Sequence, residues 1–274
     1  MLSLNKIIIA TQLHTWSTVM LSVQRRRHII EELESSGTCT ISELSQKYSV
    51  SEMTIRRDLK LLEEQGQVQR THGGAIRTGT SAIEPRYVAK QQLHAAQKAR
   101  IARYAAEKLV ADNDIIALEG GTTVTTMARY LLGKQYLTVV TNGLYTANEL
   151  RHLLPDTTVI CSGGILRDVS FTFVGPVAEG FFSEFYVNTV FISATGLTLE
   201  SGFTAPNMLE TQVRKAMVAA ARQVIMLLDS SKFGVQSLTV VLPADGPHIL
   251  ITDEGAPRHM VEALRRRGVD VRVV

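Results

Sequence analysis

Between Ile115 and Leu228 the chain repeats one local pattern, and that pattern leaves few folds open. Five short apolar runs recur: Ile115-Ile116-Ala117-Leu118, Leu137-Thr138-Val139-Val140, Thr158-Val159-Ile160-Cys161, Thr189-Val190-Phe191-Ile192 and Val224-Ile225-Met226-Leu227-Leu228. Helix-forming stretches near 123–132, 144–154, 176–185 and 207–222 separate them. Such runs lack the polar alternation of a half-exposed strand, so they read as strands buried on both faces. Strand and helix in strict succession predict a parallel sheet with helices on both sides, and a ligand at the carboxyl ends of its strands. A helix over Gln97–Val110, with Ile101, Tyr104, Ala105 and Leu109 on one face, precedes the first strand.

The predicted strand ends share an unusual composition. The first runs into Glu119-Gly120-Gly121-Thr122-Thr123, the second into Thr141-Asn142-Gly143 and the third into Ser162-Gly163-Gly164. The fourth meets Ser193-Ala194-Thr195-Gly196, and the fifth Asp229-Ser230-Ser231-Lys232-Phe233-Gly234. Small residues let the backbone approach an anion, helix N-termini supply N–H groups, and hydroxyls add donors. One such turn is ordinary loop chemistry, but five in succession with a lysine predict a pocket for a phosphorylated polyol. Nucleotide readings fail: no GxGxxG follows a strand, and Gly133-Lys134 is followed by Gln135 where a phosphate loop needs Ser or Thr.

The N-terminal third has a different period. Ile29, Ile30 and Leu33 recur at helical spacing until Gly37. Thr40 with Glu43 three residues on forms a capping box that opens a second helix. Tyr48-Ser49-Val50 is a tight turn, and Ser51 caps a third helix reaching about Gln65. At 100° per residue Ile55, Leu59 and Leu62 share the inner face of that helix. Met53, Arg57, Lys60 and Glu64 fall opposite, with Arg56 beside them and Thr54 on the other flank. Gln67 to Arg77 alternates, turns at Gly73-Gly74 and resumes, a small hairpin carrying Arg70, His72 and Arg77. A helix-turn-helix followed by such a wing is the outline of a double-stranded DNA reader. Its candidate contacts are Ser51, Met53, Thr54, Arg56, Arg57, Lys60, Arg70, His72 and Gly73.

The segment SVSEMTIRRDLKLLEEQGQVQRTHGGA resembles the signature of the DeoR/GlpR family of bacterial transcription regulators, through Thr54-Ile55-Arg56-Arg57-Asp58-Leu59 and Arg70-Thr71-His72-Gly73-Gly74-Ala75. The likeness extends from about Val23 to the C-terminus. It implies a winged helix-turn-helix domain followed by a larger α/β domain, its sheet mainly parallel, similar to sugar-phosphate isomerases. It also implies a repressor of a carbohydrate catabolism operon, answering to a phosphorylated sugar or sugar acid. By the same resemblance Gly121, Thr122 and Thr123 cradle phosphate, and Thr141, Asn142, Gly163, Gly164 and Lys232 complete the effector site. Glu119 stands where the family more often has Asp.

The implied organisation is an irregular extension over 1–22, a DNA-binding domain over 23–78, a linker over 79–97 and an effector-sensing domain over 98–274. Residues 1–19 make a poor signal peptide, because Lys6-Ile7-Ile8-Ile9-Ala10 is too short an apolar core. They read as an extension or an upstream start. The net charge of +3 confines any basic patch to a local surface. Two cysteines, no CxxC and seven scattered histidines predict neither a disulfide framework nor a metal or cofactor site, and suit the reducing cytoplasm. No apolar run nears the roughly 20 residues of a membrane span. A regulator that reads paired half-sites is expected to be a homo-oligomer.

Two other classes compete. An isomerase-like enzyme fused to a DNA-binding module needs a positioned carboxylate base, and the fourth strand end, Ser193-Ala194-Thr195-Gly196-Leu197, holds none; Glu119, Glu210 and Asp229 remain candidates nearby, each with an ordinary role as a hydroxyl acceptor or helix cap. An interaction adaptor without DNA must give Arg56, Arg57 and Lys60 another surface to serve. The expectation is a regulator and not an enzyme.

Overall fold

The computed structural model describes residues 22–36, 38–64, 68–71, 73–77 and 86–274. The expected extension (all but Ser22), Gly37, His72 and the start of the linker therefore lie outside the described residues. The chain divides into two compact units between residues 83 and 84.

In the first unit, α1 (Ser22–Ser36), β1 (Thr38–Thr40), α2 (Ile41–Tyr48) and α3 (Glu52–Glu64) precede the wing strands β2 (Val68–Arg70) and β3 (Gly74–Arg77). The capping box is present: Glu43 N–H donates to Thr40 Oγ1 at 3.2 Å, and Thr40 N–H to Glu43 Oε2 at 3.1 Å. Between α2 and α3, Ser49 takes the left-handed conformation, φ 51°. Ser51 Oγ then accepts from Thr54 N–H at 3.2 Å and starts α3. Ile55, Leu59 and Leu62 pack on Ile29, Leu33, Ile41 and Leu44, as the helical periodicity requires.

Two features go beyond the sequence expectation. The wing is three-stranded, because β1 pairs antiparallel with β3. Gly74 makes this possible: a Cβ there would lie 1.9 Å from the Cys39 carbonyl oxygen. Second, Asp58 lies buried among the apolar side chains of α3. Arg25 Nε meets its Oδ2 at 2.6 Å, and Arg26 Nη1 its Oδ1 at 3.1 Å. The carboxylate thus fastens α3 to α1 and sets the angle at which α3 is presented.

The second unit opens with α4 (Tyr87–Gln92) and α5 (Ala95–Leu109). Residues 87–92 were expected to be linker. They are helical because Tyr87 is buried, stacks on Tyr145 at 4.5 Å between centroids, and donates its N–H to the Val169 carbonyl at 2.8 Å. The chain continues through β4 (Ile115–Leu118), α6 (Thr122–Ala128), β5 (Thr138–Thr141), α7 (Leu144–Leu150) and β6 (Thr158–Cys161). A hairpin, β7 (Ile165–Arg167) and β8 (Thr172–Val174), leads to α8 (Pro176–Ser183) and β9 (Val187–Ile192). β10 (Gly196–Thr198), β11 (Gly202–Ala205), α9 (Met208–Ala219) and β12 (Ala221–Leu227) follow. β13 (Thr239–Leu242), β14 (Ile249–Thr252), α10 (Arg258–Arg266) and β15 (Asp270–Val273) close the unit.

Seven strands form one parallel sheet in the order β15-β14-β12-β9-β4-β5-β6. Its side chains divide at period two. Val224, Met226 and Leu228 enter the core on one face, and Ile225 and Leu227 the core on the other. From β4 the chain winds through β5 to β6, then returns to place β9 on the other side of β4. The β4–β9 boundary is therefore the topological switch point, where the strand ends open a crevice.

Replacing Asp58 with Ala leaves two guanidinium groups at a buried site without their acceptor. Full-length D58A is expected to lose about 3 kcal/mol from the first unit. The check is denaturant unfolding followed by exchange protection of Leu59 and Leu62. Protection equal to wild type would show that the pair does not hold α3.

Candidate functional site

The exposed face of α3 carries Met53, Arg56, Arg57 and Lys60, with Thr54 half-buried at its flank. Arg56 lies 3.2 Å from Glu52 and Lys60 3.9 Å from Glu64, both solvent-exposed pairs one helical turn apart. Such pairs are weak and exchange readily for phosphate. Arg57 has no ion-pair partner among the described residues. Its guanidinium is held out from the N-terminal half of α3 by the core behind it, the position from which a recognition helix reaches base edges. On the wing, Arg70 points back: its N–H meets Glu63 Oε1 at 3.1 Å, and its guanidinium lies 3.8 Å from Glu63 Oε2. Gly73 is exposed at the wing turn, and its carbonyl accepts from Ile41 N–H at 2.9 Å.

In the second unit, the β4 and β5 loops meet beside the switch point, whereas Gly163 and Gly164 follow the edge strand β6; several polar atoms of the residues expected to cradle phosphate are already engaged. Gly121 N–H donates to Glu119 Oε2 at 2.9 Å, and Gly120 N–H to Asn142 Oδ1 at 3.0 Å. Thr141 Oγ1 donates to the Leu118 carbonyl at 2.6 Å and accepts from Gly143 N–H at 3.0 Å. Thr141 and Asn142 are thus fasteners between the β4 and β5 loops. The glycines have a matching cause: a Cβ on Gly120 would fall 2.8 Å from Gly143 Cα. Part of the small-residue composition therefore serves the contact between loops. Thr122 is half-buried, Thr123 is buried, and Gly163 and Gly164 take positive φ at the end of β6. Lys232 ends a short helical turn after β12, half-buried and without an ion-pair partner among the described residues.

A buried charge network lies beside these loops. Glu119 is 1% exposed; its Oε1 accepts from Arg214 Nε at 3.0 Å and Nη2 at 2.7 Å, and its Oε2 also accepts from Ser193 Oγ at 2.9 Å. Arg214 reaches Glu210 Oε2 at 3.3 Å, and Arg167 of the β7–β8 hairpin reaches Glu210 Oε1 at 2.9 Å. Burial opposes ionisation of Glu210. Arg214, a hydrogen bond from Ser170, Arg167 and Lys90 outweigh it and hold the carboxyl below its ordinary range. Burial pushes the Lys98 ammonium on α5 down to about 8, with Asp229 resisting and Lys232 and Lys90 assisting. Arg167, Arg214 and Lys98 escaped the sequence reading, which took Glu210 for a hydroxyl acceptor or helix cap. The Glu210–Arg214 spacing of one helical turn was its available signal, and it is also the commonest pattern on a solvated helix.

Among the described residues no group of His, Cys, Asp and Glu is arranged to hold a metal ion, and no helix is long and apolar enough to cross a membrane.

Residues 25–80 match the family model of the DeoR-like helix-turn-helix domain, and residues 93–254 that of the DeoR C-terminal sensor domain. The chain is 33% identical to the HTH-type transcriptional regulator GolR of Listeria innocua, over 93% of this chain and 99% of that one. It is 33% identical to a putative aga operon transcriptional repressor of Escherichia coli O157:H7, covering 92% and 93% of the two chains. With the regulator GlpR of Haloferax volcanii it shares 32% identity over 92% and 98%. Among solved structures, ribose 5-phosphate isomerase A of Neisseria gonorrhoeae aligns at TM-score 0.37 and 16% identity, over 54% of this chain and 56% of that one. A domain of a possible sugar-binding transcriptional regulator of Arthrobacter aurescens aligns at TM-score 0.38 and 16% identity, over 63% and 86%. Likenesses at that level bear on neither ligand nor chemistry.

Arg214→Met would leave the Glu119 and Glu210 carboxylates facing each other without the guanidinium. The second unit is expected to lose about 3–5 kcal/mol in denaturant unfolding. Adding Glu119→Gln should recover part of the loss by removing one orphaned charge. A double variant no more stable than Arg214→Met would show that the pairing is not what the site depends on.

Proposed function

The chain belongs to the DeoR family of transcription regulators, and we propose that it represses a carbohydrate catabolism operon whose phosphorylated sugar or sugar acid sets its affinity for the operator. The observation that carries this reading is the Arg57 face of α3, exposed, cationic and backed by a buried pair that fixes its angle. The first unit reads DNA through Arg56, Arg57 and Lys60, aided by Ser51, Met53 and Thr54 and by Arg70, His72 and Gly73 of the wing. The second unit holds the effector with Thr122, Thr123, Gly163, Gly164 and Lys232 over a floor fastened by Gly121, Thr141 and Asn142. The DNA partner makes the cytoplasm its place of action, and paired half-sites make it a homo-oligomer.

It is a regulator and not an enzyme. The relatives that match over nine-tenths of the chain are named as regulators. Glu119, the carboxylate at the switch point, accepts four hydrogen bonds and is paired with Arg214, which removes it from proton-transfer work.

The test is a gel-shift against the protein's own upstream region at two salt concentrations, with a panel of sugar phosphates. Affinity should fall steeply with salt and change on adding one member of the panel. Arg57→Ala should weaken specific binding by about 1–3 kcal/mol and leave melting unchanged. Lys232→Ala should weaken the response to the active sugar phosphate by about tenfold or more while operator binding without it stays intact. Operator affinity unmoved by Arg57→Ala would take that residue off the reading face.

A further inference from the structure

The effector is proposed to bind at the carboxyl ends of the strands, and the amino ends of the same sheet hold a second opening. A groove of about 500 Å³ lies where β9 and β12 begin and the chain approaches β14. It is lined by Asn188, Thr189, Arg222, Gln223 and His248. All five residues are polar and none is a carboxylate. None of them takes part in the function proposed above.

The groove forms because two neighbouring strands lose their alternation at the same level. Val187 and Val190 join the same core, although three residues apart on a regular strand they would face opposite ways. Ala221 and Val224 of β12 pack on that core as well, and the two strands pair there with Gln223 opposite Thr189. The polar pairs in between, Asn188-Thr189 and Arg222-Gln223, are left to line the groove.

Two backbone N–H groups decide what this lining can offer. Val224 N–H donates to His248 Nδ1 at 3.1 Å, which puts the proton of the neutral ring on Nε2. Ile115 N–H donates to Asn188 Oδ1 at 2.8 Å, which leaves the amide nitrogen to face a ligand. Each side chain thus spends an acceptor on the sheet and keeps a donor. Arg222 is exposed and has no ion-pair partner among the described residues. Thr189 is 6% exposed, and among the described residues its hydroxyl makes no hydrogen bond. Asp270, whose N–H donates to the His248 carbonyl at 3.1 Å, has its carboxylate paired with Arg272 at 2.8 Å. The groove therefore has an imidazole N–H, an amide and a guanidinium to donate, and no carboxylate to receive them.

We propose that this groove is a second ligand site, which takes a small metabolite by an oxyanion, phosphate or carboxylate, held by Arg222, His248 and Asn188. A guanidinium presents two parallel donors to such a group, and the imidazole and the amide add one each. Thr189 and Gln223 supply hydroxyl and amide partners for the rest of the molecule. The volume suits a metabolite, since ligand pockets span roughly 300–1,000 Å³. The site is separate from the effector loops, because the seven residues of β12 lie between the two and span about 20 Å.

The experiment uses the full chain, isotope-labelled at histidine, titrated with inorganic phosphate and separately with citrate. The ring signals of His248, assigned by their absence in His248→Gln, should move saturably with one of the two anions, and which one acts tells phosphate from carboxylate. Arg222→Gln should leave melting unchanged and weaken that binding about tenfold, the loss of one charge-assisted contact. Lys232→Ala, at the other end of the sheet, should leave the titration unchanged. Signals that never saturate with either anion, or that respond equally in Arg222→Gln, overturn the second site. A response that is lost in Lys232→Ala overturns it too, by placing the ion at the effector loops.

Discussion

The arrangement of the sensor unit depends on one buried ion pair. Where the sheet reverses its winding between β4 and β9, two strand ends part and leave a space that a parallel sheet cannot close with its own backbone. Glu119 fills it from the end of β4, and Arg214 meets it from α9. A carboxylate in that position has lost its water, so every lone pair must find a donor or the fold pays several kcal/mol. The donors come from three places: the Gly121 N–H of its own loop, Ser193 at the end of β9, and the fork of Arg214. Satisfying one side chain therefore fixes the β4 loop, the β9 loop and α9 relative to one another. Glu210 then extends the same network through Arg167 to the β7–β8 hairpin.

This network changes the meaning of the small residues around it. A run of Gly, Thr and Asn at strand ends reads as a place for an anion, and a helix N-terminus beside it strengthens that reading. Here a carboxylate of the protein itself occupies the N–H of Gly121, the residue that caps α6, and an amide oxygen occupies the N–H before it. The glycines at 120 and 143 are there because two loops touch backbone to backbone. What remains for a ligand is a smaller set: hydroxyls at the rim, and side-chain cations that stand apart from the Glu119 pair.

The DNA-binding unit was legible from its sequence because each of its signals is local. A capping box, a tight turn and the 3.6-residue period of Ile55, Leu59 and Leu62 each lie within a few residues, and one helix decides its own outward face. Asp58 escaped because its partners are 32 and 33 residues away, although a carboxylate inside an apolar stripe is itself a hint that a cation is waiting. In the sensor unit β6 proves to be the edge of the sheet, exposed at Thr158 and Cys161 and half-buried between them where burial on both faces was expected, yet all five apolar runs announced themselves as strands. β15 did not, since Asp270-Val271-Arg272-Val273 alternates as an edge strand does, and the hairpins of three or four residues are too short to show a period. β14 had the right composition, and Ile249-Leu250-Ile251-Thr252 lay beyond the last helix counted. The site itself was half legible: spacing identifies which loops meet, but which atoms are already spent depends on contacts 70 to 95 residues apart.

Charge balance at the Glu119 end of the crevice argues against an anion there. At the Glu119 end two carboxylates, Glu119 and Glu210, face two guanidinium groups, Arg167 and Arg214. A phosphate placed there would have to take Arg214 from one of its carboxylates, leaving a buried charge unpaired. The ion pair that organises the loops is thus one that an anion would break and not one that it could use.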